Sequence, residues 1–262
     1  MSSFTTADKG ESVTAHEVIN TSMSGEDDKE TTIDSDLLLA SMKRVSYAIP
    51  AQASSPTMSA LCLRAEEGML NFVGLDGHVL AWDRTGYEGN FELLIPKNTV
   101  EKLLSVGLSG EVTVKHNKNG AAFITKDYEI YTRIVDGTYF KYEKMFNQMP
   151  IHTEVARVEF LEAVMRAKMC IEEKRPARFE ISGSEMNISI KDSTADYNET
   201  IFLKKELKAP LTIGFDARLV VETLKAFNCE NVKIQMASPK NPMIVEAEDG
   251  DFKAMILPVA IN

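Results

Sequence analysis

The feature that most constrains this chain is an internal duplication. The stretch LLIPKNTVEKLLSVGLSGEVTVK, from Leu93, and the stretch LTIGFDARLVVETLKAFNCENVKI, from Leu211, share one order of strand, helix start, helix and strand. The offset of about 120 residues holds along the rest of the chain, which means two copies of one domain. A length of 262 residues agrees with two domains of common size.

Periodicity fills in each copy. Asp34 or Ser35 can N-cap a helix whose face is Leu38, Met42 and Val45, at i, i+4 and i+7, and Pro50 stops it. Short apolar runs at 60–65, 69–75, 79–82 and 91–95 read as strands, with Glu67-Gly68 and Asp76-Gly77 as turns. Pro96 opens a second helix with face Val100, Leu103 and Leu104, and Gly107 is its stop. Strands at 112–115, 121–125 and 129–135 close the copy. The second copy repeats this: a helix with face Val158, Leu161, Val164 and Met165, then strands at 178–182, 186–191, 199–203 and 211–215. Asp216 can cap a helix with face Val220, Thr223, Leu224 and Phe227, and three strands follow. The expected fold is α+β, two repeated domains each with two helices packed on antiparallel sheet. The boundaries are an N-terminal arm over 1–32, a domain over 33–146, a linker over 147–154 and a domain over 155–262. The arm is expected to be disordered, because seven carboxylates face only Lys9 and Lys29 there; the alternative is an edge strand near 12–22.

Several function classes are disfavoured. A net charge of −10 argues against binding nucleic acid by bulk attraction to phosphate. No run approaches the roughly 18 apolar residues of a membrane span, and the start has no secretory pattern. Cys62, Cys170 and Cys229 are far apart and form no C-x-x-C, so disulfides and structural zinc are not expected and a reducing cytoplasm fits. Glycine-rich nucleotide-binding motifs are absent from the sequence. Asp76-Gly77-His78 pairs an acid with a histidine, but Asp-Gly between apolar runs is a hairpin signal and no nucleophile motif accompanies it. Glu66-Glu67, Glu172-Glu173 and the acids at 246–249 read as surface turns rather than metal sites. No metal, cofactor or catalytic residue is expected, and a small-molecule enzyme would require a polar cleft that no motif announces.

The segments GLDGHVLAW, LLIPKNTVEKLL, RIVDGTYFKYEKMF, GFDARLVVETLKAFNCENVKI and MILPVAI carry a resemblance. From Ile33 to Asn262 the chain resembles the second and third domains of the bacterial DNA polymerase III beta subunit, the sliding-clamp family; the family's first domain has no counterpart here. The resemblance implies a ring of six such domains around duplex DNA, helices lining the hole, which tethers polymerases and repair proteins. A two-domain chain would close that ring as a trimer. The alternative is a clamp-like module that docks partner peptides without encircling DNA. A bacterial cytoplasmic, nucleoid-associated protein is implied.

The resemblance also assigns residues. A peptide-binding pocket would be lined by Met58, Leu75, Gly77, His78, Val79 and Leu80, by Phe140, Lys144 and Met145, and by Leu219, Pro242, Met243, Ile256, Leu257, Pro258 and Val259. It would take short linear peptides from polymerase, clamp loader and repair factors. Departures are Val79 where the family often has Arg, Phe140 where it often has Pro, Leu219 where it often has an aromatic, and an ending in Ala260-Ile261-Asn262 rather than Arg-Leu. Residues implied to face DNA are Lys43, Arg44, Gln52, Lys97, Lys102, Arg157, Arg166, Lys168, Arg218 and Lys225. Nine cations on the four helices stand against six carboxylates there, a mildly basic surface in an acidic chain. Contact with DNA would be sequence-independent. Met169 and Cys170 are implied to face a neighbouring subunit.

Overall fold

The computed structural model describes residues 28–170, 176–191 and 196–261, and the backbone of residues 3–6. The chain divides into two compact units. Unit one comprises Met1–Asp76 and Asp83–Phe140; unit two comprises Gly77–Trp82 and Lys141–Asn262.

Unit one contains strands β1 (Ser3–Thr6) and β2 (Lys29–Asp34), helix α1 (Ser35–Ser46), strands β3 (Ala60–Glu66) and β4 (Met69–Leu75), and the second half of β5 (Val79–Gly86). Strand β6 (Phe91–Pro96), helix α2 (Lys97–Val106), and strands β7 (Glu111–His116), β8 (Gly120–Ile124) and β9 (Tyr128–Arg133) complete it. One antiparallel sheet has the order β1-β9-β8-β7-β2, and β3 pairs with both β4 and β6. Asp34 caps α1, its Oδ1 accepting from the N–H groups of Asp36 and Leu37 at 3.0 and 3.1 Å. Gly107 ends α2 at φ 66°, a left-handed conformation that costs glycine little. Leu38, Met42, Val45, Val100 and Leu103 of the expected faces have no exposure and pack towards a core with Phe72 and Phe123, whereas Leu104, also expected on the α2 face, is half-buried. Gly74 lets α1 come close, since a Cβ there would lie 2.6 Å from the Val45 carbonyl oxygen.

Unit two contains strand β10 (Ile151–Ala156), helix α3 (Arg157–Met169), strands β11 (Ala177–Lys191) and β12 (Asp196–Phe215), helix α4 (Ala217–Ala226), and strands β13 (Asn231–Met236), β14 (Met243–Glu246) and β15 (Phe252–Ile256). Its strands run in the order β11-β12-β10-β13-β14-β15. Phe160, Phe179 and Phe215 stack edge-on at 6.1 and 5.5 Å between centroids, and Phe227 lies 4.5 Å from Phe252. Asp216 caps α4 by accepting from the Arg218 N–H at 2.9 Å.

Four expectations are corrected. Ser3–Thr6 and Lys29–Thr32, placed in a disordered arm, are strands; β2 pairs with β7 from Lys29↔His116 to Asp34↔Glu111, and Lys115 adds an ion pair to Glu30 at 3.4 Å. Paired backbone and cross-strand charge outweigh the unfavourable composition there. The proposed edge strand near 12–22 lies outside the described residues. The linker over 147–154 is instead half strand, because Ile151–Ala156 pairs residue by residue with β13. The four short strands of the second copy are two long ones, joined through register shifts around Gly183 at φ 57°. The buried face of α3 is Phe160, Ala163, Val164 and Ala167, whereas Val158 and Met165 are exposed. Phe160 carries the largest apolar area on that helix and sets which side turns inward.

Candidate functional site

The C-terminal tail gives unit two its most specific local geometry. Leu257 N–H donates to the His78 carbonyl at 2.9 Å, and Val259 N–H donates to the Gly214 carbonyl at 2.8 Å. The tail is therefore held between the segment 77–82 and the end of β12. Gly214 makes the close approach possible: a Cβ would meet the Val259 oxygen at 2.6 Å and Ile261 Cγ1 at 2.7 Å. The approach was not legible, because a glycine inside the apolar run LTIGF has no turn signal.

Around this tail the sequence-assigned pocket residues separate into two groups. Val79, Leu80, Met243 and Ile256 are core side chains, at most 1% exposed. They hold the backbone in place, and the surface nearby is carried by less buried residues. Leu219, Pro242, Leu257 and Pro258 are half-buried, and Gly77, His78, Lys144, Met145 and Val259 are exposed. Gly77 turns the chain at φ 86° before β5, as an Asp-Gly turn requires. Trp82 packs against Tyr142 and Phe146 at 5.2 and 5.5 Å and fixes the stretch that carries Lys144 and Met145. In unit one, Met58 and Leu75 are half-buried, and Phe140 is exposed. Tyr139, beside it, is buried, its hydroxyl donating to the Val73 carbonyl at 3.3 Å.

The helix cations are mostly engaged. Arg44 pairs with the buried Asp83 at 3.1 Å. Arg166 meets Glu199 in a two-pronged contact at 2.6 and 2.8 Å and Glu162 at 3.6 Å. Hydrogen bonding to Arg166, with help from Tyr197, holds the Glu199 carboxyl below its usual range against the effect of burial. Arg218 reaches Asp216 at 2.6 Å. Burial alone would raise the Asp216 carboxyl, but its bonds from Arg218 lower it. Lys225 pairs with Glu222 at 3.0 Å. Arg157 Nε donates to the Cys229 carbonyl at 2.9 Å, and Lys97 Nζ to the Ile49 carbonyl at 2.6 Å. Lys43, Gln52 and Lys102 are exposed and Lys168 half-buried. The pairs Arg44–Asp83 and Arg166–Glu199 are not legible in the sequence, since the partners are distant in it. Met169 is 85% exposed at the end of α3, and Cys170 beside it is half-buried. Cys229 is half-buried, with burial raising its thiol pKa. Among the described residues no cluster of three or more metal-ligating side chains occurs, and no helix is long and apolar enough to cross a membrane.

Residues 147–260 match the family model of the C-terminal domain of the DNA polymerase III beta subunit. An alignment of 249 positions with the beta sliding clamp of Streptococcus pneumoniae is 23% identical, over 88% of this chain and 64% of that one. The chain is similar to bacterial beta sliding clamps over nearly nine tenths of its length. The Escherichia coli K12 clamp aligns at 23% identity over 90% of this chain and 68% of its own length. The fold agrees with solved structures: the Bacillus subtilis sliding clamp superposes with a TM-score of 0.85 at 19% identity, over 90% of this chain and 66% of that one. A Pseudomonas aeruginosa clamp gives 0.84 at 19%, over 88% and 66%. The chain thus spans about two thirds of the length of the clamps it matches.

Proposed function

We propose that this chain acts as a sliding clamp without chemistry of its own, holding polymerases and repair proteins on duplex DNA. The observation that carries the reading is the duplicated α+β unit, similar to beta sliding clamps across nearly nine tenths of the chain. Retention would come from a closed ring of like domains, a trimer if these chains alone build it. Lys43, Lys102 and Lys168 would supply weak phosphate contacts that let DNA slide. Partners would dock short peptides on the half-buried Leu219, Pro242, Leu257 and Pro258, with exposed Val259 and Met145 alongside. Burying one large apolar anchor there is worth about 1.5–3 kcal/mol, which suits exchange among partners. Titration with a labelled clamp-binding peptide tests the docking half. Saturable binding that Leu257→Asp abolishes is expected, and equal binding by both forms would contradict it.

A second reading has its own support. Arg44, Arg166, Arg218 and Lys225 have carboxylate partners, so much of the helix charge is already neutralised. On this reading the chain docks clamp-partner peptides without surrounding DNA. DNA retention separates the two.

A further inference from the structure

The two copies use the outer side of their last strand alike. In unit two, the chain leaving β15 is bonded to the segment Gly77–Trp82, and that segment begins β5, the third strand after α1. In unit one the counterpart of β15 is β9. Its outer side is taken by β1, in antiparallel register from Ser3↔Tyr131 to Thr6↔Tyr128. Strand β1 has no counterpart among the described residues of the second copy. The repeat's counterpart of β5 is the first part of β12, Asp196–Leu203. That stretch pairs with β11 on one side, and β10 meets its other side at Leu203. Its Phe202 is 62% exposed.

We propose that β1 is a self-capping strand: it occupies the edge of β9 that would otherwise accept the Asp196–Leu203 strand of a second copy. The proposal rests on the clamp reading for the purpose of assembly, and on the repeat for the identity of the occupant. An open strand edge is a row of N–H and C=O groups that templates further pairing. A strand tethered to the same chain competes at an effective concentration on the order of millimolar, so a micromolar copy stands at a disadvantage of about 10³. Four residues give β1 a short ladder, which leaves it displaceable. Assembly between copies is thereby held back until β1 is released.

The test is light scattering coupled to size exclusion across the micromolar range, with amide exchange over Tyr128–Arg133. Three proteins are compared: the full chain, a deletion of residues 1–27, and the double variant F4P/T5P. Neighbouring residues of an antiparallel ladder alternate in facing their partner, so one of the two prolines removes an N–H directed at β9. The full chain is expected near 29.1 kDa. Both variants are expected at multiples of that mass, with an apparent dissociation constant lowered about 10²–10³-fold. Adding Phe202→Lys to the deletion should reverse the gain. Two outcomes overturn the proposal: both variants at one chain mass with Tyr128–Arg133 exchanging fast, or a full chain that assembles while β1 stays protected. Failure of the clamp reading looks different. The deleted protein would assemble through β9 and still not be retained on circular DNA.

Discussion

A methyl group at position 214 has nowhere to go. It would fall 2.6 Å from the Val259 oxygen and 2.7 Å from Ile261 Cγ1, so either the tail or β12 must move. Gly214→Ala is expected to cost about 1–3 kcal/mol in urea unfolding, as overpacking does, and to speed exchange of the Val259 amide. His116 gives a pH signature at the same scale. Burial, then the nearby charge of Lys29, lowers its pKa from 6.5. Below 6.5 the unfolded chain takes up a proton that the folded chain resists, so stability falls as pH drops from there towards the folded value. His116→Gln should flatten that limb of a stability-against-pH curve, and an unchanged slope would contradict the assignment. Arg44→Ala removes the guanidinium facing buried Asp83, and a loss of about 1.5–3 kcal/mol is expected by thermal or urea unfolding.

At the scale of elements, α3 is tied to β12 by Arg166, Glu199 and Tyr197, whose hydroxyl also donates to the Ala163 carbonyl at 2.9 Å. Glu199 is held below 4.5 mainly by Arg166, so this link contributes stability above that pH and loses it as pH falls through the lowered value. Glu199→Gln should remove that acid-side loss and raise amide exchange in α3 before the rest of unit two. How legible each element was follows from its residues. Helices α1, α2 and α4 could be read because their apolar residues recur on one side and Asp34, Gly107 and Asp216 mark their ends. The face of α3 could not, because Val158 and Met165 compete with Phe160, and only packing decides. The length of β11 and β12 was hidden by Gly183, which reads as a break and acts as a bulge. Strand β1 is too short to read: Ser3–Thr6 has only four residues, and its pairing depends on β9, more than a hundred residues away. At the site, the exposed rim of the tail followed from resemblance. The engaged arginines and the four buried pocket residues needed three dimensions.

For the whole molecule, two copies of one domain and likeness to beta sliding clamps support the proposed reading, in which the protein works by enclosing DNA. Topological retention differs from phosphate affinity in one respect: it vanishes when DNA has free ends. The decisive measurement is co-migration with nicked circular plasmid, before and after linearisation by one cut, using the protein lacking residues 1–27 so that the β9 edge is open. The account predicts protein in the DNA fractions on the circle and its loss after the cut, at unchanged salt. Equal retention on both forms, or none on either, would contradict the clamp reading for this chain.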